Sequence, residues 1–224
     1  MAPSSRLTRW LYFRLFGATA LVATGAWQAQ VLALNGSHGI APVEAQLREL
    51  TAAGYGFAQM PSVLWFGASD SALMLVCSLA TLASVCVLLG VAERLALAVL
   101  WLAWLSLVNT CHPFLNFQWD VLLIEATFFS WFYADPRWRS DWRSGPEPGP
   151  ASRFMLAWLS CHLTLESGIV KLASGDPSWR DLSALTYHWW SQPLPVPLSV
   201  WANELPRLLQ QLLCAVMFIC ELVT

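Results

Sequence analysis

Charged residues are scarce in this sequence: Asp, Glu, Lys and Arg make up only 12% of its 224 residues, and Lys171 is the only lysine. Soluble domains usually carry about a quarter charged residues, so the composition argues against a soluble protein. The sequence also lacks a basic block, and its formal net charge of −2 gives no support to binding of nucleic acid. The six cysteines occur singly, without the spacing of zinc ligands, so we expect no metal, cofactor or disulfide framework.

Hydrophobic residues are abundant instead: they form 57% of the chain, and 14 residues are tryptophan, which favours membrane interfaces. The apolar residues gather in six stretches, which are residues 11–34, 71–92, 95–110, 114–134, 154–173 and 208–224. About 20 apolar residues cross a bilayer as a helix, so the sequence predicts an all-α, multi-pass transmembrane helix bundle with five crossings and a partial sixth. Because the sixth stretch is short, we expect residues 1–224 to be one transmembrane domain and the N-terminal fragment of a longer protein.

The distribution of basic residues predicts the orientation of this bundle, because Lys and Arg are retained on the cytoplasmic side of a membrane. If each stretch crosses once, eight arginines share the side of the N-terminus and four basic residues lie on the other side. The N-terminus and the loop at residues 135–153 are therefore expected to be cytoplasmic, whereas residues 35–70 and the Trp- and Pro-rich residues 174–206 form outer-face loops. A glycosylation sequon at residues 35–37 abuts the first stretch, which favours an unused chance match.

Ionisable residues interrupt the fourth and fifth stretches, and three of them form a predicted intramembrane polar cluster: Glu125, His162 and Glu166. A carboxylate at the bilayer centre costs roughly 2.5–3.5 kcal/mol on insertion scales, so we expect these side chains to face the bundle interior and to meet there. His162 and Glu166 share a helix face at i, i+4. Two interpretations stay open, a proton-handling site or interhelical contacts that only satisfy the polar groups. In the second interpretation, Lys171 extends its ammonium group to the outer surface.

Two other stretches combine aromatic residues with carboxylates that can cap helices. At residues 117–120, Asp120 is expected to help cap the start of the fourth segment, with little burial and beside interfacial aromatic rings. Asp176 precedes Pro177, a combination that predicts the start of a short helix. Trp179 and the tryptophans that follow it predict a loop that lies on the membrane surface.

These two stretches resemble the lipase maturation factor family. The likeness is specific at residues 117–125 (FQWDVLLIE), 170–188 (VKLASGDPSWRDLSALTYH) and 191–195 (SQPLP). Shorter pieces agree with it at residues 14–17 (RLFG), 36–42 (GSHGIAP) and 61–65 (PSVLW). The resemblance therefore extends over nearly the whole chain.

The resemblance implies a multi-pass membrane protein that assists the folding and assembly of secreted lipases, in the endoplasmic reticulum membrane of a eukaryote or the cytoplasmic membrane of a bacterium. Its partners would be the lipid bilayer and a secreted lipase client. The motif residues that are candidates for client contact are Gln118, Trp119, Asp120, Lys171, Asp176, Trp179, Tyr187, His188 and Gln192. The Trp-rich outer loops favour such a non-enzymatic chaperone.

An enzyme is the alternative function. The membrane part of the lipase maturation factor family is distantly similar to that of vitamin K-dependent carboxylase. This similarity implies a possible membrane-integral enzyme of carboxylase-like descent, with Lys171 or the pair of His162 and Glu166 as the base.

Overall fold

The computed structural model describes residues 5–192 and 196–223, and the regular elements in these ranges are helices, apart from one isolated β-bridge. The α-helices are α1 (Ser5–Asn35), α2 (Val43–Ala52), α3 (Asp70–Leu89), α4 (Glu93–Thr110), α5 (Gln118–Tyr133), α6 (Pro150–Ala173), α7 (Pro177–Arg180), α8 (Ala184–Ser191), α9 (Leu198–Asn203) and α10 (Arg207–Leu222). The prediction of an all-α fold is confirmed. Pro193, Leu194 and Pro195 of the predicted outer loop, and Thr224 of the sixth stretch, lie outside the described residues.

The chain divides into two compact units, a first unit that ends at Leu156 and a second unit that begins at Ala157. In the first unit α1 packs on α3, α3 on α4 and α4 on α5. The helices α1 and α3 approach closely at Gly17, where an added Cβ would lie 2.5 Å from the backbone nitrogen of Leu88. Later in α1, Thr24 Oγ1 lies 3.4 Å from Ser84 Oγ, which comes earlier in α3. The two helices are therefore antiparallel.

A tight turn joins α3 to α4 just before Glu93 and Arg94, the charged pair that separates the second and third apolar stretches. Gly90 ends α3 with a φ of 72°, in the left-handed region that favours glycine. Glu93 then begins α4, and only 1% of it is exposed. The turn is therefore a packed part of the unit.

The connection predicted at residues 35–70 is more ordered than a loop. It contains α2 and a 3-10 helix at Val63–Phe66. Val43 and Leu47 of α2 are buried, and Ser62 caps the 3-10 helix by accepting a hydrogen bond from the backbone N–H of Leu64 at 3.1 Å. Both helices are too short to produce a long apolar run, which is why hydropathy alone does not predict them.

Two of the described helices, α3 and α4, are long and apolar enough to span a membrane. Each of the other predicted stretches also contains a helix, but none of these four passes the same test over the described residues. The helices α5 and α10 have 16 residues each, while α1 and α6 are longer but contain polar residues within the predicted stretches, namely Gln28 and Gln30 in α1 and His162 and Glu166 in α6. The prediction of five crossings and a partial sixth is thus met in part.

The second unit contains most of α6 together with α7, α8, α9 and α10. The helix α10 is amphipathic, because Gln210, Cys214 and Phe218 recur every four residues on its buried face. In α6, Gly168 permits close packing on α10, since an added Cβ would lie 2.7 Å from Leu222 Cδ2. These contacts position α10 beside the later half of α6.

Candidate functional site

The motif at residues 117–125 begins α5, and one carboxylate organises the turn before that helix. Asp120 Oδ2 accepts a hydrogen bond from the backbone N–H of Phe117 at 3.0 Å. The indole N–H of Trp104 in α4 donates to the backbone oxygen of Asp120 at 3.1 Å. Asp120 thus caps the helix start as expected, but only 4% of it is exposed, so the expectation of little burial is wrong. Packing of α4 against α5 causes this burial, and helical spacing in the sequence does not reveal it.

Two aromatic rings are displayed beside this buried carboxylate. The rings of Phe117 and Trp119 stack with their centroids 4.7 Å apart and their planes 12° from parallel. Half of Phe117 and 62% of Trp119 are exposed, and Gln118 between them is exposed as well. The stacked pair thus forms an exposed apolar surface beside the hydrogen bond between Asp120 and Phe117.

Neutral hydrogen bonds connect the segments around this motif. We term this end of the first unit the motif end and define it as residues 36–68 and 106–120. Ser62 Oγ donates to the backbone oxygen of Ser106 at 3.1 Å. Asn109 Nδ2 donates to the backbone oxygen of Pro61 at 2.8 Å. The end of α4 is thus tied to the segment before α3.

The motif end also contains a cleft between α2 and the residues that follow α4. Gln46 of α2 binds the backbone of His112 with both atoms of its amide group, accepting from the N–H at 3.1 Å and donating to the oxygen. The cleft has a volume of about 660 Å³, and it is lined by Ile40, Ala41, Pro42, Ala45, Gln46, Glu49, Leu50, Ala53, His112 and Pro113. Nearby on the surface, the exposed rings of Phe57 and Phe66 lie 5.9 Å apart. Exposed aromatic rings are therefore a repeated feature of this end.

A buried charge network lies at the opposite end, which we term the arginine end (the start of α1, the α3–α4 turn and residues 135–153). Asp135 is fully buried and accepts hydrogen bonds from Arg9 Nη2 at 2.9 Å and Arg137 Nη2 at 2.8 Å. Burial alone would raise the pKa of Asp135, but the hydrogen bonds from Arg137 and the charge of Arg9 hold this pKa below its usual value. In the same region Glu93 Oε1 accepts from Arg14 Nη2 at 2.5 Å.

Backbone pairing fastens the predicted cytoplasmic loop to the α3–α4 turn. The N–H of Ala92 donates to the oxygen of Trp138 at 2.7 Å, and the N–H of Ser140 donates to the oxygen of Gly90 at 2.9 Å. These bonds surround the isolated β-bridge, in which Val91 pairs with residue 139. The N-terminal arginines, the turn and the loop are thus brought together at one end of the first unit. The charged residues of this network are evident in the sequence, but no regular spacing between them predicts which residues form ion pairs.

In the second unit, Lys171 connects three helices. Its Nζ donates to Glu221 Oε1 of α10 at 2.6 Å and to the backbone oxygen of Ser167 at 3.2 Å. The ring centroid of Trp179 in α7 lies 5.8 Å from this nitrogen, within the range of a cation–π interaction. Lys171 is therefore held inside an ion pair and does not simply extend to the surface. Glu221 is 50 residues away in the chain, and no motif predicts its role.

Two other motif residues of the second unit hold short helices in place. Asp176 Oδ1 accepts from the backbone N–H of Ser178 at 2.8 Å, with Pro177 at the first helical position, which confirms the predicted helix start. Gln192 Nε2 donates to Ser199 Oγ at 2.6 Å and links the end of α8 to α9. These contacts support the shape of the loop.

The remaining motif residues of the second unit, Tyr187 and His188, are exposed on α8. Trp190 of α8 and Trp201 of α9 are exposed even further, each to 76%. Aromatic residues at this level of exposure suit the interface between lipid and water. That this loop lies on the membrane surface stays a prediction.

The three residues of the predicted polar cluster, Glu125, His162 and Glu166, make weak contacts. His162 Nε2 and Glu166 Oε1 are 3.7 Å apart, too far for a hydrogen bond, and their side chains are 43% and 57% exposed. Glu125 is exposed on α5, and no described residue of the first unit forms a hydrogen bond or ion pair with it. A meeting of Glu125 with the other two residues stays a prediction.

The local geometry of Asn35 bears on whether the sequon at residues 35–37 is used. Only 1% of Asn35 is exposed, and its Nδ2 donates to the backbone oxygen of Ala41 at 2.8 Å. Glycosylation requires that nitrogen, so the geometry supports an unused sequon.

Within residues 5–192 and 196–223, no group of three His, Cys, Asp or Glu side chains is arranged to hold a metal ion.

Comparison with known proteins matches nearly the whole chain to one family. A family model described as the lipase maturation factor transmembrane domain matches residues 7–224. Lipase maturation factor 2 of Gallus gallus is 35% identical over 238 residues, which cover 99% of this chain and 32% of the relative. The Homo sapiens lipase maturation factor 2 is 32% identical over 237 residues, which cover 97% of this chain and 33% of the relative.

A second human relative, lipase maturation factor 1, is 32% identical over 157 residues, which cover 67% of this chain and 27% of the relative. The chain spans about a third or less of the length of these curated relatives. No solved structure matches the chain significantly.

Proposed function

The chain belongs to the lipase maturation factor family, and on this premise we propose that it forms the membrane-embedded part of a chaperone-like factor for secreted lipases. The matching family domain is a transmembrane domain, so the chain is a membrane protein. Its proposed task is to assist the folding and assembly of a lipase client, without a chemical step of its own.

We infer that α1, α5 and α6 cross the bilayer together with α3 and α4, and that α10 begins a sixth crossing. At about 1.5 Å per residue, the 31 residues of α1 and the 24 residues of α6 exceed a hydrocarbon core of about 30 Å. The 16 residues of α5 extend about 24 Å. Because α5 packs on α4, which is apolar enough to span, a shared position in the bilayer is favoured.

The arginine end is proposed to face the cytoplasm. Of the nine arginines before Ala157, eight belong to that end and only Arg48 of α2 does not. Positively charged residues are held on the cytoplasmic side during insertion. The motif end then faces the lumen of the endoplasmic reticulum in a eukaryote, or the outer side of the cytoplasmic membrane in a bacterium. A lipase destined for secretion folds on that side.

The stacked pair of Phe117 and Trp119 is the observation that supports client binding. An exposed apolar surface on an ordered backbone suits transient contact with partly folded chains. Asp120 binds the backbone N–H of Phe117 beneath the pair, and the pair lies at the end proposed to meet the client.

Replacement of both Phe117 and Trp119 by Ala in a full-length family member tests this function. Aromatic residues at the centre of an interface typically contribute about 2 kcal/mol or more, so we expect at least a several-fold loss of lipase activity in the medium. The amount of the factor in the membrane should stay unchanged, because both side chains are largely exposed.

Trp131→Ala is the matched control, since Trp131 is an exposed tryptophan near the other end of α5. It should leave lipase secretion unchanged. Normal secretion in the double variant would contradict client contact at this pair. A fall in the membrane level of the factor itself would assign the pair to folding instead.

The contacts of Lys171 do not favour the enzyme alternative. A base must be able to reach its substrate, whereas Lys171 Nζ is already engaged by Glu221 Oε1 and by the backbone oxygen of Ser167. The distance of 3.7 Å between His162 and Glu166 likewise gives no activated pair.

A further inference from the structure

Residues 138–143 of the arginine end expose tryptophan rings together with arginine side chains. Trp138 is 69% exposed and Trp142 is 41% exposed. Arg139 and Arg143 are exposed as well, and the guanidinium carbon of Arg143 lies 4.8 Å from the ring centroid of Trp142. We term these four side chains the Trp–Arg surface.

The carboxylates nearest in sequence to the Trp–Arg surface, Asp141 and Glu147, form no ion pair with its two guanidinium groups. Asp141 accepts a hydrogen bond from the backbone N–H of Arg143 at 3.0 Å, which lowers the pKa of Asp141 and keeps it ionised. Glu147 forms an ion pair with Arg6 at 2.7 Å. In the part of the chain that the structure describes, neither Arg139 nor Arg143 pairs its guanidinium group with a carboxylate. The surface therefore carries two guanidinium groups without an ion pair beside one ionised carboxylate, which leaves one net positive charge to bind an anion.

The exposure of this surface is not the result of a loose loop. The backbone on both sides of Arg139 is bonded to the α3–α4 turn through Trp138 and Ser140. Arg137 adds a hydrogen bond of 2.7 Å from its Nη2 to the backbone oxygen of Ser144. The backbone hydrogen bonds thus leave two large indole rings on the surface. Exposure of these apolar rings to water is unfavourable.

We propose that the Trp–Arg surface binds the headgroups of anionic phospholipids in the leaflet next to the arginine end. Indole rings favour the headgroup level of a bilayer, and arginine side chains bind phosphate groups in bidentate geometry. The surface lies beside the ends of α3 and α4, the two helices with the composition of membrane spans, so lipid headgroups are within its reach. The proposal does not depend on any client at the motif end.

Lipid selectivity of the full chain in nanodiscs measures this binding. Spin-labelled phosphatidylserine and phosphatidylcholine are compared in separate nanodiscs, and the immobilised fraction of each gives their relative association constant. An arginine near an anionic surface contributes about a fivefold preference, so Arg139→Gln with Arg143→Gln should reduce the selectivity for phosphatidylserine by about 5- to 25-fold. The effect should weaken as salt is added.

Two control variants make the result specific. The pair Arg139→Lys and Arg143→Lys keeps the charge and should retain most of the selectivity. Arg48→Gln removes an exposed arginine at the motif end and should leave it unchanged. Because both leaflets of a nanodisc have the same composition, the comparison does not depend on orientation. The proposal would be overturned if the wild type and the variant with Arg139→Gln and Arg143→Gln had equal selectivity for phosphatidylserine. It would also be overturned if Arg48→Gln lost as much selectivity as that double variant.

Discussion

Replacing Asp135 by Asn should destabilise the first unit strongly, because it leaves a buried arginine without its counter-charge. The distance of 2.9 Å between Arg9 Nη2 and Asp135 Oδ2 corresponds to a Coulomb attraction of about 6 kcal/mol at an effective dielectric constant of about 20. Desolvation of both groups offsets most of this attraction, so the intact pair contributes little net stability. Removal of one partner keeps the desolvation cost and loses the attraction, which typically costs about 3–5 kcal/mol.

Arg137→Gln is the matched control for this prediction. The side chain of Arg137 binds the same carboxylate at 2.8 Å but is 38% exposed, so water screens its charge. We expect its loss to cost about 1 kcal/mol or less. The contrast between the two variants therefore shows how much of the loss in Asp135→Asn comes from the buried Arg9 rather than from Arg137.

Thermal unfolding in detergent micelles, followed by tryptophan fluorescence, gives the measurement. For a chain of this size, a loss of 3–5 kcal/mol lowers the Tm by about 6–20 °C. The double variant Arg9→Gln with Asp135→Asn should be more stable than the sum of its two single effects predicts, because no buried charge is then left alone. Equal small shifts for Asp135→Asn and Arg137→Gln would refute the reasoning.

Two more predictions concern the first unit. Because the pKa of Asp135 is lowered in the folded state, its contribution to stability is complete above the pKa of the unfolded chain, about 3.9, and is lost as the pH falls below it. The Tm of the wild type should therefore fall more steeply than that of Asp135→Asn between about pH 5 and pH 3, and parallel profiles would contradict this. Gly17→Ala should destabilise the unit by about 1–3 kcal/mol, because the new Cβ meets the backbone of Leu88 at 2.5 Å. Gly25→Ala on the same helix meets no atom within 4 Å and should be neutral or slightly stabilising by the same Tm measurement.

Features set by local sequence were predictable. The all-α class follows from long apolar runs, and the α3–α4 turn follows from a charged pair between two of them. Asp176 before Pro177 predicts the start of α7 because a cap and its helix are adjacent in the chain. The helix α2 was not predictable from hydropathy, since only Val43 and Leu47 of its ten residues are buried.

Contacts between distant residues were not predictable from the sequence. Lys171 attracts notice as the only lysine, yet its partner Glu221 belongs to another helix and no spacing rule connects them. Asp120 looks like an ordinary surface cap until Trp104 of α4 is placed over it. In both cases the sequence identifies the residue, and only packing between helices determines what that residue does.

The span of the chain between Arg9 and Asp135 has a consequence for the order of events during synthesis. The two residues are 126 positions apart, and Arg14 is separated from Glu93 by 79 positions. At about 5–20 residues per second, Arg9 leaves the ribosome about 6–25 s before Asp135 does. During that interval the start of α1 carries charges that the folded unit later neutralises and buries. The buried ion pairs of the first unit therefore form only after residues 135–140 have been made, well after the helices that these residues bind.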